Sequence, residues 1–264
     1  MAFWLWQAIM RPNILLEPKM RVGLLVTCLI DTMRPEIGFS VLKLLESAGC
    51  EVVVPESQTC CGQPAYSAGN RRAARDLAQK FIEEFEGFDY VVIPSGSCGG
   101  MVKTHYADLL SSDPVWSDRM KNLAPRVYEL TDFLETVLKI DRLPAPAGNA
   151  LPVRITYHDS CCGLRELGVQ EQPRALLGLL PGVELTEMKD HTVCCGFGGA
   201  FSLKYGDISG AIVDEKCANI RASGVDAVVL GDLGCMLNIE GRLRRTGDEK
   251  TRVLHIAQLL AGDC

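Results

Sequence analysis

Several absences narrow the class of this chain before any motif is read. No run reaches the roughly 18 apolar residues of a membrane-spanning helix. The first residues, MAFWLWQAIMRPN, have no basic leader, only about eight apolar positions and no small-residue cleavage site, so no secretory signal is expected. Basic charge is not in excess: 27 Lys and Arg against 33 Asp and Glu leave a net charge of −6, and no nucleic-acid partner is expected. The ferredoxin pattern C-x2-C-x2-C-x3-C is missing, as is any flavin or nicotinamide fingerprint. Composition is unbiased, with 47% hydrophobic and 23% charged residues, which excludes a disordered or collagen-like chain. At 264 residues the chain can bury a core without disulfides or metals to hold it.

What it has in excess is cysteine, 12 residues in all. Without a secretory leader, the expectation is a cytoplasmic protein, where disulfides are rare and clustered thiols bind metal or do redox chemistry.

The cysteines sit on a repeat. In the first half, the strand-like Val22–Thr27 ends at Cys28, and a helical run follows with Ile37, Val41, Leu44, Leu45 and Ala48 at helical spacing. A strand over Glu51–Val54 precedes Cys60-Cys61-Gly62. A second helical run carries Ala74, Leu77, Phe81, Ile82 and Phe85 on one face, and a strand over Tyr90–Ile93 leads to Cys98. In the second half, a strand over Val153–Tyr157 leads to Cys161, helical residues span Pro173–Leu180, and the strand-like Val183–Met188 precedes Cys194-Cys195-Gly196. A helix from about Ile208 to Ala222 and a strand over Ala227–Leu230 then lead to Cys235. Cys28 to Cys161 is 133 positions, Cys60 to Cys194 is 134, and Cys98 to Cys235 is 137. Three landmarks in one order at nearly one shift mark a duplication.

The alternation predicts an α/β fold: two tandem, duplicated cysteine-rich domains with mainly parallel sheets and crossover helices. The expected boundaries are an N-terminal extension over 1–19, a first domain over 20–139, a Pro- and Ala-rich linker over 140–152, and a second domain over 153–264. Ligands of such sheets sit beyond the carboxyl ends of the strands, where every cysteine landmark falls. Topology therefore gathers Cys28, Cys60, Cys61 and Cys98 in one half, and Cys161, Cys194, Cys195 and Cys235 in the other.

Four thiolates are the complement of an iron–sulfur cluster and also suit tetrahedral zinc. Each glycine after a pair lets the backbone turn and aims amide N–H groups at the sulfurs. Cys50 and Cys217 read as small core residues, Cys264 as a bystander, and Cys162 as an accessory thiol. His158 and His191 flank the second quartet and read as satisfied structural histidines, with hydrogen bonds to cluster sulfurs or metal ligation as the alternative. Asp159 is expected to cap the following turn. Two rival motifs are weaker. Gly96-Ser97-Cys98-Gly99-Gly100 with His105 fits a nucleophile elbow, but leaves the cysteine pairs unexplained. Gly196-Phe197-Gly198-Gly199 fails the dinucleotide fingerprint, because Phe201 stands where a glycine is required.

These residues carry a family resemblance over Met20 to Leu260. Val26-Thr27-Cys28, Gly62-Gln63-Pro64, His158-Asp159-Ser160-Cys161, Cys194-Cys195-Gly196-Phe197-Gly198-Gly199 and Leu237-Asn238-Ile239 resemble the cysteine-rich CCG domains of the heterodisulfide reductases and of the glycolate oxidase iron–sulfur subunit. The chain resembles most the lactate utilization protein A family, whose members consist of two such domains. The resemblance implies an iron–sulfur electron-transfer subunit of an L-lactate (2-hydroxy acid) oxidising system. It would work with partner subunits that include a ferredoxin-like iron–sulfur protein, and would carry one cluster per domain, of the 4Fe–4S type. Heterodisulfide reductases end the pattern in Cys-x-x-Cys. Here the final position is Met101 in one half and Asn238 in the other, which favours four-thiolate sites and keeps zinc open for one of them. The alternative is a zinc-binding structural or interaction module without a redox role.

Overall fold

A computed structural model describes residues 19–144 and 152–264. The expected extension, apart from Lys19, and positions 145–151 of the expected linker lie outside the described residues.

Each half is one parallel sheet with helical crossovers. In the first, β1 (Arg21–Leu24) leads to α1 (Cys28–Met33) and α2 (Pro35–Ser47), and β2 (Glu51–Val53) leads to α3 (Gln63–Ser67) and α4 (Arg71–Phe85). Then β3 (Tyr90–Ile93) leads to α5 (Gly96–Gly100), a π-helical turn over Met101–His105 and α6 (Tyr106–Leu110). After α7 (Pro114–Leu123), β4 (Val127–Glu129) runs into α8 (Leu130–Asp132) and a second π-helical turn, Phe133–Val137. The second half repeats the plan with β5 (Arg154–His158), α9 (Cys161–Leu167), α10 (Glu171–Leu177) and β6 (Glu184–Leu185). It continues through α11 (Ala200–Lys204), α12 (Gly206–Ala222), β7 (Ala227–Leu230), α13 (Leu233–Arg245), β8 (Arg252–His255) and α14 (Ile256–Ala261).

The strand orders are β2-β1-β3-β4 and β6-β5-β7-β8, every pairing parallel. The expected α/β class with parallel sheets is what the chain adopts. Two details differ. Each sheet has a fourth strand that the alternation above does not include. β6 keeps only two of the six positions read as strand-like, because the chain turns away to bring Cys194 and Cys195 over the sheet's edge. Local signals explain the longer helices. Asn70 accepts the Ala73 N–H at 3.2 Å to cap α4, whose Ala74, Ala78, Phe81, Ile82 and Phe85 are buried along one face. Pro114 opens α7 behind the cap Asp113.

The halves share a core. Val92 of β3 turns towards α2, where Ile37, Val41 and Leu44 join Ile256, Leu259 and Leu260 of α14 in one apolar cluster. Its neighbours Val91 and Ile93 face the opposite side, against Phe81, Phe85 and Tyr106. At the rim of the shared core, Lys43 donates to Asp263 at 2.6 Å and to the Ala261 carbonyl at 2.7 Å, and Arg34 pairs with Glu240 at 2.8 Å.

Closer to the strand ends, α5 crosses α9 with no room between them. An added Cβ at Gly96 would stand 2.5 Å from Ser160 Oγ and 3.0 Å from the Gly163 backbone, and Ser160 Oγ itself accepts the Gly163 N–H to cap α9. Gly96→Ala should therefore lower stability by about 1–3 kcal/mol. Gly210→Ala in α12, with open space around it, should be neutral or raise stability by about 0.5–1 kcal/mol. Thermal unfolding of the two variants checks this, and equal melting shifts would refute the tight crossing.

Glu129 ends β4 in a buried position and accepts the Thr131 N–H at 2.7 Å and the Asp132 N–H at 3.2 Å. Burial pushes its pKa up from 4.5 to about 7, against the pull of those bonds. A carboxyl that holds its proton more tightly folded than unfolded contributes stability fully below about pH 4.5, and that contribution is lost as pH rises through about 7. Glu129→Gln stays neutral, so its stability relative to the native chain should climb across that window by on the order of 3 kcal/mol. Denaturant unfolding at pH 4.5 and pH 8 reads the difference directly.

Candidate metal centres

The strand ends place the thiols. Cys28 opens α1 after β1 and Cys161 opens α9 after β5, behind Thr27 and Ser160. Cys98 is the third residue of α5 after β3, and Cys235 the third of α13 after β7. Both pairs follow the second strand of their sheet. Gly62 and Gly196 then take φ of 84° and 85°, a left-handed turn that glycine adopts freely. Through that turn Gly62 N–H meets Cys60 Sγ at 3.4 Å and Gly196 N–H meets Cys194 Sγ at 3.3 Å, the bonds expected from the glycine positions.

The second cysteine of each pair is buried and its carbonyl is held. Tyr106 O–H donates to the Cys61 carbonyl at 2.8 Å, and Asn238 Nδ2–H donates to the Cys195 carbonyl at 2.9 Å. Asn238 thus does structural work where the resemblance places a final cysteine, and Met101 at the matching position is a fully buried core residue. Tyr106 was not among the sequence candidates. Its only signal is a hydroxyl inside an apolar helical stretch.

Cys28 Sγ stands 3.7 Å from Cys60 Sγ, and Cys195 Sγ 2.9 Å from Cys235 Sγ. Contact with the Cys28 and Cys61 thiols lowers the Cys60 pKa to about 3, and contact with Cys161 and Cys195 lowers Cys194 to about 2, with the Gly62 and Gly196 N–H groups helping in each case. The donors shift in reverse: contact with Cys60 raises Cys28 and Cys61, and contact with Cys194 raises Cys195. Cys161 is raised by Cys162 and Cys194. Each quartet is a proton-sharing chain centred on the first cysteine of its pair, and every thiol that biases another lies in the same half.

All eight thiols, with Cys162, line one cleft of about 540 Å3 between the halves. Its wall is otherwise apolar and small: Leu29, Pro64, Phe197, Gly198 and Leu203 with Ser95, Ser97 and Asp232. The converging sulfurs, with N–H donors aimed at them, suit metal or iron–sulfur binding, and among the described residues His158, Cys195 and Cys235 form the group whose donor atoms all lie within 4.8 Å of one another. Cys50 and Cys217 are buried in the core as expected.

The other candidates resolve differently. Asp159 caps nothing. Ser160 caps α9, and Asp159 is clamped by Arg174 at 3.0 and 2.9 Å and by His191 Nδ1 at 2.6 Å. His191 is therefore the satisfied structural histidine it was read to be. His158 is not: it is wholly buried and neither ring nitrogen has a hydrogen-bond partner. His105 faces Glu166 at 3.6 Å and stacks near Tyr66, away from the role an elbow would give it.

Comparison with known proteins agrees with this architecture. The cysteine-rich CCG domain matches residues 22–103 and 155–240. The lactate utilization protein A of Geobacillus kaustophilus (strain HTA426) is 46% identical over 241 residues, covering 91% of this chain and 98% of that protein. That of Bacillus subtilis (strain 168) is 43% identical, covering 91% and 99%. The chain belongs to the lactate utilization protein A family. Among solved structures, an aspartate racemase homologue from Pyrococcus horikoshii OT3 aligns over 92% of the chain at 13% identity and a TM-score of 0.34, too distant to bear on function. No helix among the described residues is long and apolar enough to cross a membrane.

The thiol chains make a measurable expectation for this family member. In reduced, chelator-treated protein, alkylation of Cys60 and Cys194 should be nearly flat from pH 5 to pH 8, because both are already ionised. Cys264, pushed up to about 11 by burial, should react about tenfold faster for each pH unit. Peptide mapping after timed alkylation reads each site, and a tenfold-per-unit rise at Cys60 would refute the shared-proton arrangement.

Proposed function

We propose that the chain is an iron–sulfur electron-transfer subunit of an L-lactate oxidising system, working in the cytoplasm with partner subunits. In this reading Cys28, Cys60, Cys61 and Cys98 hold one cluster of the 4Fe–4S type, and Cys161, Cys194, Cys195 and Cys235 hold a second. The observation that carries it is the gathering of two thiol quartets, far apart in sequence, on the strand ends that face one cleft. The relatives' name supplies the link to lactate.

When bound, such a cluster takes up and releases single electrons at a potential set by its ligands and surroundings. The chain's own contribution is placement and tuning. The N–H groups of Gly62 and Gly196 bond the sulfurs of Cys60 and Cys194 and lower their basicity. Tyr106 and Asn238 fix the loops that carry Cys61 and Cys195. Cys28 is exposed, so the first site reaches the surface where a ferredoxin-like partner can approach. No flavin or nicotinamide motif is present in the chain, so in this reading lactate gives its electrons either to a partner subunit or directly to one of the chain's own clusters.

Full-length protein purified anaerobically should carry iron and sulfide and show broad thiolate-to-iron absorption. A colourless, zinc-loaded protein would instead support a structural or interaction module. Cys60→Ser and Cys195→Ser should each remove about half of the bound iron, one cluster of the two. Loss of all iron in either variant would overturn the picture of two independently loaded centres. Addition of L-lactate to the complex isolated from native cells should bleach the cluster absorption.

A further inference from the structure

His158 is the unexplained group in the second half. It closes β5 and is wholly buried, yet both ring nitrogens lack a hydrogen-bond partner. A buried polar group left unpaired is costly, so a use for it is expected. The neighbouring acceptors already serve other donors, and the His191 carbonyl is the one backbone group near enough to act on the ring. Asp159 is held by Arg174 and His191, and the His191 carbonyl already receives the Asp159 N–H at 3.2 Å.

What the ring faces is sulfur. One of its nitrogens and the Sγ atoms of Cys195 and Cys235 all lie within 4.8 Å of one another. Ligand atoms sharing one tetrahedral metal, with bonds of about 2.0–2.3 Å, stand roughly 3.5 Å apart, so small side-chain shifts, with Cys195 and Cys235 parting slightly from 2.9 Å, seat one ion among the three. The first half has nothing similar. Leu25 stands three residues before Cys28, as His158 stands three before Cys161.

We propose that His158 ligates the metal centre of the second half through one imidazole nitrogen, beside Cys195 and Cys235. The two centres then differ in donor set: sulfur alone in the first, sulfur and nitrogen in the second. A neutral imidazole in place of a thiolate removes negative charge from the centre and raises its potential, as histidine ligation does in other iron–sulfur sites. Electrons entering at the first centre would settle on the second. With His158, Cys195 and Cys235 on the centre, one position of a four-ligand set remains for Cys161, Cys162 or Cys194, so the imidazole replaces one thiol of the quartet. This inference rests on the metal-binding reading of the quartets.

The test is pulsed electron paramagnetic resonance of the reduced, full-length, iron-loaded protein grown with 15N-histidine. Directly bonded nitrogen gives a strong 15N coupling. That coupling should be present in the native chain and lost in His158→Leu, which copies Leu25. It should also be lost in His158→Cys, which should keep its iron and show a second centre with a more negative potential. Iron held in the second half with no strong coupling, or with only the weak coupling of an N–H···S bond, overturns the ligand role and leaves the metal reading intact. A coupling that survives in His158→Cys overturns it equally. If Cys195→Ser loses no metal relative to the native chain, the metal reading of this half fails, and this inference with it.

Discussion

Everything at the cleft depends on how one carboxyl group, Asp232, joins the two halves. It caps α13 by accepting the Cys235 N–H at 3.2 Å, and across the interface it accepts the Ser97 N–H at 2.8 Å and the Ser95 hydroxyl at 3.1 Å. Beside it the Gly96 N–H meets the Gly231 carbonyl at 3.2 Å. The turn that bears Cys98 and the turn that bears Cys235 are thus bonded to the same group. A buried carboxyl is tolerated only with donors on both oxygens, so these bonds are conditions of burial as well as sources of position. The glycines of α5 and α9 allow the approach, and the shared apolar core behind it sets the depth. Parallel strands alone would deliver eight thiols to two sheet edges. This contact delivers them to one cleft.

Duplication made the halves alike, and substitutions have made them unequal. At matched positions the second half has His158 for Leu25, Cys162 for Leu29 and Asp232 for Ser95. At the ends of the fourth strands Glu129 stands against His255, each the N-cap of the following helix. The second half also buries Lys216 near Cys194, Cys195 and Cys235, where its charge favours their ionised forms. Of these, His158, Cys162, Asp232 and Lys216 give the surroundings of the second quartet polar groups that the matched positions of the first half lack.

The sheets and the quartets were legible because both rest on local pattern. Strands such as Tyr90–Ile93 and Ala227–Leu230 are apolar runs between turns, and their bounds match β3 and β7 residue for residue. The cysteines could be grouped because each follows a strand, and parallel topology does the rest. Of the fourth strands, Val127–Glu129 is only three residues long, too short for any period to show, whereas Arg252–His255 follows the last cysteine landmark of the repeat and so lay outside the pattern that located the others. The contact between halves escaped because nothing in Ser95, Asp232 or Gly96 marks a tertiary partner. Asp159 and Ser160 exchanged roles for a similar reason. Either could cap α9, and Arg174, fifteen residues on, decides between them. His158 read as an ordinary satisfied histidine, since only the structure shows that neither ring nitrogen is paired.

Metal loading must then compete with protons. In each metal-free quartet the first cysteine of the pair, Cys60 or Cys194, is biased towards the negative form and its neighbours towards the protonated one, with Cys28 donating to Cys60 and Cys195 to Cys235. Full ionisation without metal would place like charges a few ångströms apart in a mostly apolar cleft, which is costly. A metal centre removes that cost by drawing off the raised protons and neutralising the sulfurs together. The resting chain therefore needs little charge in the cleft to stay folded, and the same sulfurs would become a strong ligand set on meeting a metal. Cys60 and Cys194, already ionised, are the natural first points of attachment. The glycine N–H groups that steady them in the metal-free chain remain in place to bond the same sulfurs afterwards.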